Sequence, residues 1–367
     1  MSLKSAFYRE WRNIFPERKK YSENEYMFTS ARIAAMSAGL IGRDRLLSLT
    51  DEANAEAVTE RLKEFGYGTS RDREISEDPG EETGASVDAE KLLTDKLAAT
   101  YGEIVGFCPD KELLDLIRLR YDCHNVKTAL KCVYLGADPA PYMIDCGSIP
   151  AATVAETAKK KEKNCWDFLP AKSSAAAGKA SEELDASGSA RTVDALLDAA
   201  CFADMLDYAA EVGFAPAERM LRIRIDTTNV ISVLRIMRIR NPDTAASLRE
   251  DSVYDGGYIP AEKLKNAKTP AEVAKLAESA GYELLAETLK NPTFDGAALE
   301  RASAEADREF LRKLASETEF RLLGAYQLMD YVVSLEYEVK NLRIILSGKQ
   351  SGLDPQTIRE RLRLSDV

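Results

Sequence analysis

The stretch Leu119-Arg120-Tyr121-Asp122-Cys123-His124-Asn125-Val126 is the first of three copies of one helical pattern. The second copy is Ile223-Arg224-Ile225-Asp226-Thr227-Thr228-Asn229-Val230, and the third is Leu335-Glu336-Tyr337-Glu338-Val339-Lys340-Asn341-Leu342. In each copy an acidic residue precedes an asparagine by three positions, and the apolar residues around them occupy equivalent positions. A pattern that returns about every 110 residues is typical of a chain built from similar modules.

Residue spacing along the whole chain predicts an all-α fold. Apolar residues recur every three or four positions through most of the 367 residues, and the helix formers Ala, Leu, Glu, Lys and Arg dominate. Alternating, β-branched stretches of the kind that form strands are rare. Together with the repeat, this spacing predicts three similar helical modules: residues 1–135 with an N-terminal helix, residues 136–240, and residues 241–367.

Glycine-containing landmarks recur around the three copies. Gly147-Ser148-Ile149-Pro150 follows the first copy, and Gly257-Tyr258-Ile259-Pro260 follows the second. Because Gly ends helices and Pro begins them, each landmark predicts a helix–turn–helix joint. Gly352-Leu353-Asp354-Pro355 is expected to play a similar part after the third copy. Three glycines upstream of the copies are each expected to end a helix: Gly66, Gly178 and Gly281.

Three other segments carry specific expectations. Residues 28–42 resemble the back half of a repeat, so a partial copy at the start of the chain could complete a ring with the last copy. Residues 173–190 are rich in Ser, Ala and Gly, but Ala is the best helix former, and we predict a helix with a loop. Residues 69–87 are charged and contain Pro-Gly, which predicts a loop, with a partner-contacting tip as the alternative function.

Charge and composition exclude several classes of protein. With 45% hydrophobic residues the chain is globular, and its formal net charge of −11 disfavours nucleic acid and anionic lipid as partners. No run approaches about 18 uncharged apolar residues, and Lys4, Arg9 and Glu10 replace the apolar core of a secretion signal. The six cysteines include no CxxC pair, which indicates reduced cytosolic thiols rather than a disulfide framework or a zinc site.

The sequence offers no convincing catalytic or cofactor site. His124 is the single histidine, so a two-histidine metal site is impossible and a Ser-His-Asp triad would have to use it. Gly178-Lys179 fails as a phosphate loop, because Ser173 replaces the first Gly and Ala180 replaces the magnesium-binding Ser or Thr. The basic run at 159–163 is most simply a solvated helix face. We predict a protein without enzymatic activity, cofactor or metal.

The repeated pattern places one carboxylate in an apolar helix face. The first, fourth, eighth and twelfth positions of each copy share a face, and the acid occupies the fourth. A carboxylate in a packed face must be paired or hydrogen-bonded. We predict that the acid and the asparagine brace a neighbouring helix within each module. The alternatives are a shared axial surface where a partner docks and, third, acid–base catalysis.

An arginine accompanies the acid in two of the three copies. Arg118 and Arg222 lie four residues before their aspartates, a spacing that favours an ion pair, whereas Ser334 takes this place in the third copy. The three modules are therefore not equivalent. The candidate structural or partner-facing residues are Arg118, Asp122, Asn125, Arg222, Asp226, Asn229, Glu338, Asn341 and Arg343.

Three segments, in this order and spacing, carry a family resemblance: residues 26–42, residues 116–130, and residues 338–349 running on to 362. On these segments the chain resembles the C subunit of bacterial and archaeal V/A-type ATP synthases, the counterpart of the d subunit of eukaryotic vacuolar ATPases. The resemblance covers the chain from about residue 26. The first 20 residues and the acidic insertion after Gly68 depart from the family pattern.

The resemblance implies a non-catalytic rotor part. Members of this family are all-helical, with three similar modules around a pseudo-threefold axis that form a funnel. The funnel sits on the cytoplasmic face of the membrane rotor ring and receives the foot of the central shaft. The implied partners are therefore the shaft subunits and the rotor ring, with no nucleic acid and no small-molecule substrate, and the implied location is cytoplasmic and peripheral to the membrane. The competing interpretation is a generic helical-repeat scaffold that binds a protein.

Overall fold

Helices account for all regular structure in the residues that the computed structural model describes, which are 21–68, 89–160, 165–290, 294–319, 321 and 323–364. The all-α prediction is confirmed for this part of the chain. These residues cluster into two compact units, one formed by residues 110–281 and the other by residues 21–109 together with 282–364.

The helices of the two units follow one another along the chain. The second unit begins with α1 (Glu23–Ser37), α2 (Arg43–Leu49), α3 (Ala55–Glu64) and α4 (Ala89–Phe107). The first unit contains α5 (Lys111–Tyr134), a 3-10 turn (Ala140–Tyr142), α6 (Ala151–Lys160), α7 (Ala171–Ser187), α8 (Ala190–Val212), α9 (Ala215–Ile236), α10 (Pro242–Ser252), α11 (Ala261–Asn266) and α12 (Pro270–Ser279). The second unit ends with α13 (Glu283–Leu289), α14 (Gly296–Thr318), α15 (Ala325–Gln350) and α16 (Pro355–Arg361).

In the first unit, α8 packs against α5, α7 and α9. A core shared by α5, α6, α7 and α8 includes the buried Trp166, and Ala177 and Ala180 of α7 are fully buried in it. Their small side chains let α7 approach its neighbours closely, so the Ser/Ala/Gly-rich segment is a packed helix, as predicted. The expectation that Gly178 ends a helix is wrong, because it lies in the middle of α7, where the surrounding alanines sustain the helix.

In the second unit, α15 is the central helix and packs against α1, α2, α3, α4, α14 and α16. Segments from both ends of the chain meet here. The amide N–H of Gly324 donates to the Ser30 hydroxyl at 2.9 Å, and the Arg359 guanidinium pairs with Asp51 at 2.5 Å. Residues distant in sequence therefore form one unit.

Two of the three upstream glycines do end helices. Gly66 follows α3 and Gly281 follows α12, with left-handed φ of 82° and 78° that glycine adopts at no steric cost. The joint predicted at 352–355 is also present, because Gly352 has φ 68° after α15 and Asp354 caps α16 by accepting the Thr357 amide. Local turn chemistry thus sets these helix ends.

Some expectations fall on residues outside the described ones: the first 20 residues with Tyr8, Trp11 and Phe15, the charged loop at 69–87, and the basic run beyond Lys160. Within the described residues, no helix is both long and apolar enough to cross a membrane.

Candidate functional site

The three copies of the pattern lie on the long helices α5, α9 and α15. The predicted apolar face is confirmed by burial, since its members are all at most 6% exposed. The face consists of Leu119, Asp122, Val126 and Leu130 on α5, of Ile223, Asp226, Val230 and Leu234 on α9, and of Leu335, Glu338, Leu342 and Leu346 on α15. Each carboxylate is therefore held inside a core and needs polar partners there.

Each asparagine of the pattern binds both backbone groups of a single residue that follows its helix. The side-chain N–H donates to the carbonyl oxygen of that residue and the side-chain oxygen accepts its amide N–H, over 2.6–3.1 Å. The same geometry occurs in all three copies. The pairs are Asn125 with Ile144, Asn229 with Tyr254, and Asn341 with Arg363.

The first two acids bind the amides of the G-x-I-P joints. Asp122 accepts the Ser148 and Ile149 amides at 3.1 and 3.0 Å, and the Ser148 hydroxyl at 2.7 Å. Asp226 accepts the Tyr258 and Ile259 amides at 2.8 and 3.0 Å. Burial raises the pKa of Asp122, and the Ser148 and Ile149 donors oppose this rise by stabilising the charged form. We call each acid with its joint a carboxylate bridge.

The first position of each joint requires glycine for a steric reason. A Cβ added at Gly147 would lie 2.9 Å from Cγ of Asp122 and closer still to its carboxylate oxygen. A Cβ added at Gly257 would lie 2.7 Å from Cγ of Asp226. The absence of a side chain therefore lets the carboxylate reach the two amides that follow.

The third carboxylate bridge is closed by the start of the chain. Glu338 accepts the Ile41 amide and the Tyr67 hydroxyl, the latter at 2.6 Å. Gly39-Leu40-Ile41 thus takes the place of G-x-I, and α2 follows it as α6 and α11 follow the other joints. Residues 352–355 form the predicted joint after α15, while the donors to Glu338 come from Ile41 and Tyr67. Burial raises the pKa of Glu338 to about 6, although its hydrogen bonds oppose the rise.

The family model for the ATP synthase (C/AC39) subunit matches residues 29–361, which include all three copies of the pattern and the N-terminal joint. The chain belongs to this family. It is 22% identical to the C subunit of the A-type ATP synthase of Methanosarcina mazei, over 94% of this chain and 95% of that protein. It is 26% identical to the corresponding C subunit of Methanocaldococcus jannaschii, over 92% of this chain and 86% of that protein. The predicted resemblance to V/A-type C subunits is confirmed.

In this member of the C/AC39 family, the arginines of the pattern bind differently from the prediction. The Arg118 guanidinium donates to the carbonyls of Cys146 and Gly147, and its ion pair is with Asp115 at 3.5 Å. Arg222 donates to the Gly256 carbonyl at 2.8 Å and pairs with Glu218 at 2.8 Å. Each arginine therefore reaches the joint beside the acid. Helical spacing could not show this, because the loop carbonyls belong to a distant part of the sequence.

Arg343 lies away from the carboxylate bridges. It forms a two-pronged ion pair with Glu90 of α4, with Nε 2.8 Å from one carboxylate oxygen. Its side chain is 37% exposed and that of Glu90 is 57% exposed, so this is a surface pair.

Sequence reasoning missed Asp307, one of two buried acids in α14, the other being Glu309. Asp307 accepts the Tyr337 hydroxyl at 2.7 Å, the Lys340 ammonium at 2.5 Å and Nε of Arg363 at 3.0 Å. Arg363 is also the residue that Asn341 binds, so Asp307 fixes the end of the described chain to α15. Asp307 lies outside the repeated pattern, so no spacing in the sequence indicated that it is buried.

C/AC39 subunits are non-catalytic parts of ATP synthases, so the prediction that this chain is not itself an enzyme is confirmed by its family. Among the described residues, no group of three or more His, Cys, Asp and Glu side chains is placed to hold a metal ion. The six cysteines are free thiols, all buried or half-buried. His124 is half-buried, with Nε2 3.5 Å from the Thr128 hydroxyl. The residues of the pattern instead bind the chain's own backbone.

Proposed function

We propose that this chain is the central-stalk rotor subunit of a V/A-type ATP synthase, which couples the central shaft to the membrane rotor ring. Family membership supports a synthase subunit, and the full-length relatives are named as C subunits of A-type synthases. The observation that carries the rotor role is the recurrence of one carboxylate bridge in three copies, the third closed by the N-terminal segment. Repeats that share a closure across the two chain ends favour a cyclic arrangement.

The bridges suit the transmission of torque. Each one fixes a loop to a buried helix through charge-assisted hydrogen bonds, which are roughly twice as strong as neutral ones. Breaking such a bond inside the core leaves a buried carboxylate without one of its donors, at a cost of about 1–3 kcal/mol or more. A module held this way resists unravelling under load. We therefore assign Asp122, Asp226 and Glu338, with their asparagines, a bracing role.

The arrangement that we propose has three modules, residues 1–135, 136–240 and 241–367, around a pseudo-threefold axis as a funnel. The first module also supplies the joint that closes the third bridge. The shaft enters the funnel, and the chain lies on the cytoplasmic face of the membrane ring. It reaches the membrane through the ring.

The test uses synthase from a strain that lacks this chain. We expect ATP hydrolysis by the catalytic subunits to persist without ion pumping, because shaft and ring are disconnected. Adding the purified chain should restore ATP-driven pumping and bind the chain to the ring at micromolar concentration or below. Hydrolysis and pumping are measured in the same vesicles.

A matched pair of variants separates bracing from exposed polar contacts. Asn229→Ala removes both hydrogen bonds to Tyr254 and should lower restored pumping, whereas Asn266→Ala removes one exposed bond to Glu262 and should restore fully. If the chain binds neither the ring nor the shaft, the rotor role is contradicted. The competing interpretation, a generic helical-repeat scaffold that binds another protein, would then be favoured. Full pumping without the chain would also contradict it.

A further inference from the structure

Three exposed arginines lie close together where α9 ends. Arg235 is in the last turn of the helix, and Arg238 and Arg240 follow within five residues. The backbone between them is fixed, since the Arg238 and Ile239 amides donate to carbonyls three residues earlier at 3.1 and 2.9 Å. Ile236 is buried, which anchors the turn. We call Arg235, Arg238 and Arg240 the arginine patch.

Within the described residues, the side chains of the arginine patch have no ion pair or hydrogen bond. Several other surface arginines of this chain have acidic partners, for example Arg191 with Asp251 at 3.5 Å and Arg343 with Glu90 at 2.5 Å. The exposed Arg301 and Arg361 also lack an ion pair among the described residues, but neither has a second unpaired arginine within five residues of it in the sequence. The chain contains 61 acidic and 50 basic residues, so acids to pair with are plentiful. Three neighbouring guanidinium groups left unpaired in an acidic protein point to a partner outside the chain.

Interaction with the helix dipole explains part of the arginine patch. A cation in the last turn of a helix interacts favourably with the carbonyl end of the helix dipole. This applies to Arg235. The effect falls off beyond the last turn, and Arg240 lies four residues after the final helical residue, Ile236.

We propose that the arginine patch binds a carboxylate-rich surface of a neighbouring subunit of the synthase, which rests on the proposed function. The guanidinium fork matches a carboxylate with two parallel hydrogen bonds, and arginine is enriched in protein interfaces. An anionic membrane fits less well. Lipid-binding clusters usually hold about 4–8 basic residues, whereas this patch has three and is followed in the sequence by the exposed acid Asp243.

The binding test uses the full chain and detergent-solubilised synthase prepared without it. The variant R235Q/R238Q/R240Q should associate about tenfold more slowly than the native chain at low ionic strength, because charged surfaces steer association. The difference should shrink as the ionic strength rises toward about 1 M, where the Debye length falls to about 3 Å. Thermal melts should shift only slightly, because Arg235 loses its interaction with the helix dipole while the three side chains have no ion pair or hydrogen bond among the described residues.

The control variant R191Q/K63Q/K290Q has the same net charge but removes exposed cations that are already paired within the chain, with Asp251, Glu60 and Glu287 respectively. It should associate at close to the native rate. Equal slowing of both triple variants would show a net-charge effect and overturn the proposal. Native binding by the patch variant would also overturn it while leaving the proposed function intact. Failure of the native chain to bind would instead contradict the proposed function.

A cross-linking test identifies the chemistry of the partner. In R238K the ammonium group can be joined to a touching carboxylate by a carbodiimide, which forms an amide with loss of water. We expect an R238K cross-link to Asp or Glu of another subunit by mass spectrometry, and no intersubunit cross-link from R343K, which faces Glu90. Loss of binding to anionic vesicles in the patch variant, with unchanged binding to synthase, would assign the patch to lipid and refute the proposal.

Discussion

At the scale of single residues, Glu338 differs from the other two bridge acids and predicts a pH dependence. Burial raises its pKa from 4.5 to about 6 in the folded chain. The folded state therefore binds this proton more tightly than the unfolded state. Its stabilising contribution is full below about pH 4.5 and is lost as the pH rises through 6, a change of about 2 kcal/mol.

Glu338→Gln tests this dependence. Relative to the native chain, the variant should gain about 2 kcal/mol of unfolding free energy between pH 4.5 and 7.5, because the amide carries no charge to bury. Urea unfolding at several pH values measures the difference. Glu287→Gln is the control, since Glu287 is exposed and pairs only with Lys290 among its described ion pairs. A pH-independent difference for Glu338→Gln would refute the prediction.

At the scale of elements, the joints depend on glycine. Gly257→Ala would place a Cβ 2.7 Å from Cγ of Asp226 and force the carboxylate away from the Tyr258 and Ile259 amides. We expect a loss of about 2–4 kcal/mol, from overpacking and from weakened hydrogen bonds to a buried charge. Denaturant unfolding provides the measurement.

Gly102→Ala is the matched control for this substitution. Gly102 lies inside α4 and an added Cβ would meet no atom within 4 Å, so the change should stabilise the chain by about 0.5–1 kcal/mol. The two substitutions are therefore expected to change the free energy of unfolding in opposite directions. A neutral effect at Gly257 would mean that the joint moves freely and does not brace its helix.

The helices and the buried faces could be predicted from sequence, because the 3.6-residue period is local information. The burial of Asp122 follows from the same period, whereas Asn125 lies outside the predicted face. The closure of the third bridge could not be predicted in full, because Ile41 lies 297 residues from Glu338 and Gly42 replaces the proline of the other joints. The binding of Arg118 to loop carbonyls could likewise not be predicted from the sequence, because it depends on tertiary structure.

At the scale of the molecule, residues 21–68 belong to the second unit although they precede the first unit in the sequence. A chain that begins at Arg43 lacks α1 and the Ile41 amide, and leaves Glu338 buried without that donor. We expect this unit to lose more than the cost of one unsatisfied buried group, about 1–3 kcal/mol, because the buried Tyr26 and Ile33 of α1 are lost as well. Hydrogen exchange of α15 amides measures it. A chain that begins at Tyr21 is the control and should retain native protection. Equal protection in both chains would contradict the prediction.

The distance along the chain between Ile41 and Glu338 also sets an order of events during synthesis. Ile41 emerges from the ribosome 297 residues before the carboxylate that accepts its amide. At about 5–20 residues per second, translation of that interval takes tens of seconds. Residues 110–281 are complete well before then and contain both of their own bridges. The middle of the nascent chain can therefore fold first. The helices α1 to α4 can complete their unit only after α15 has been synthesised.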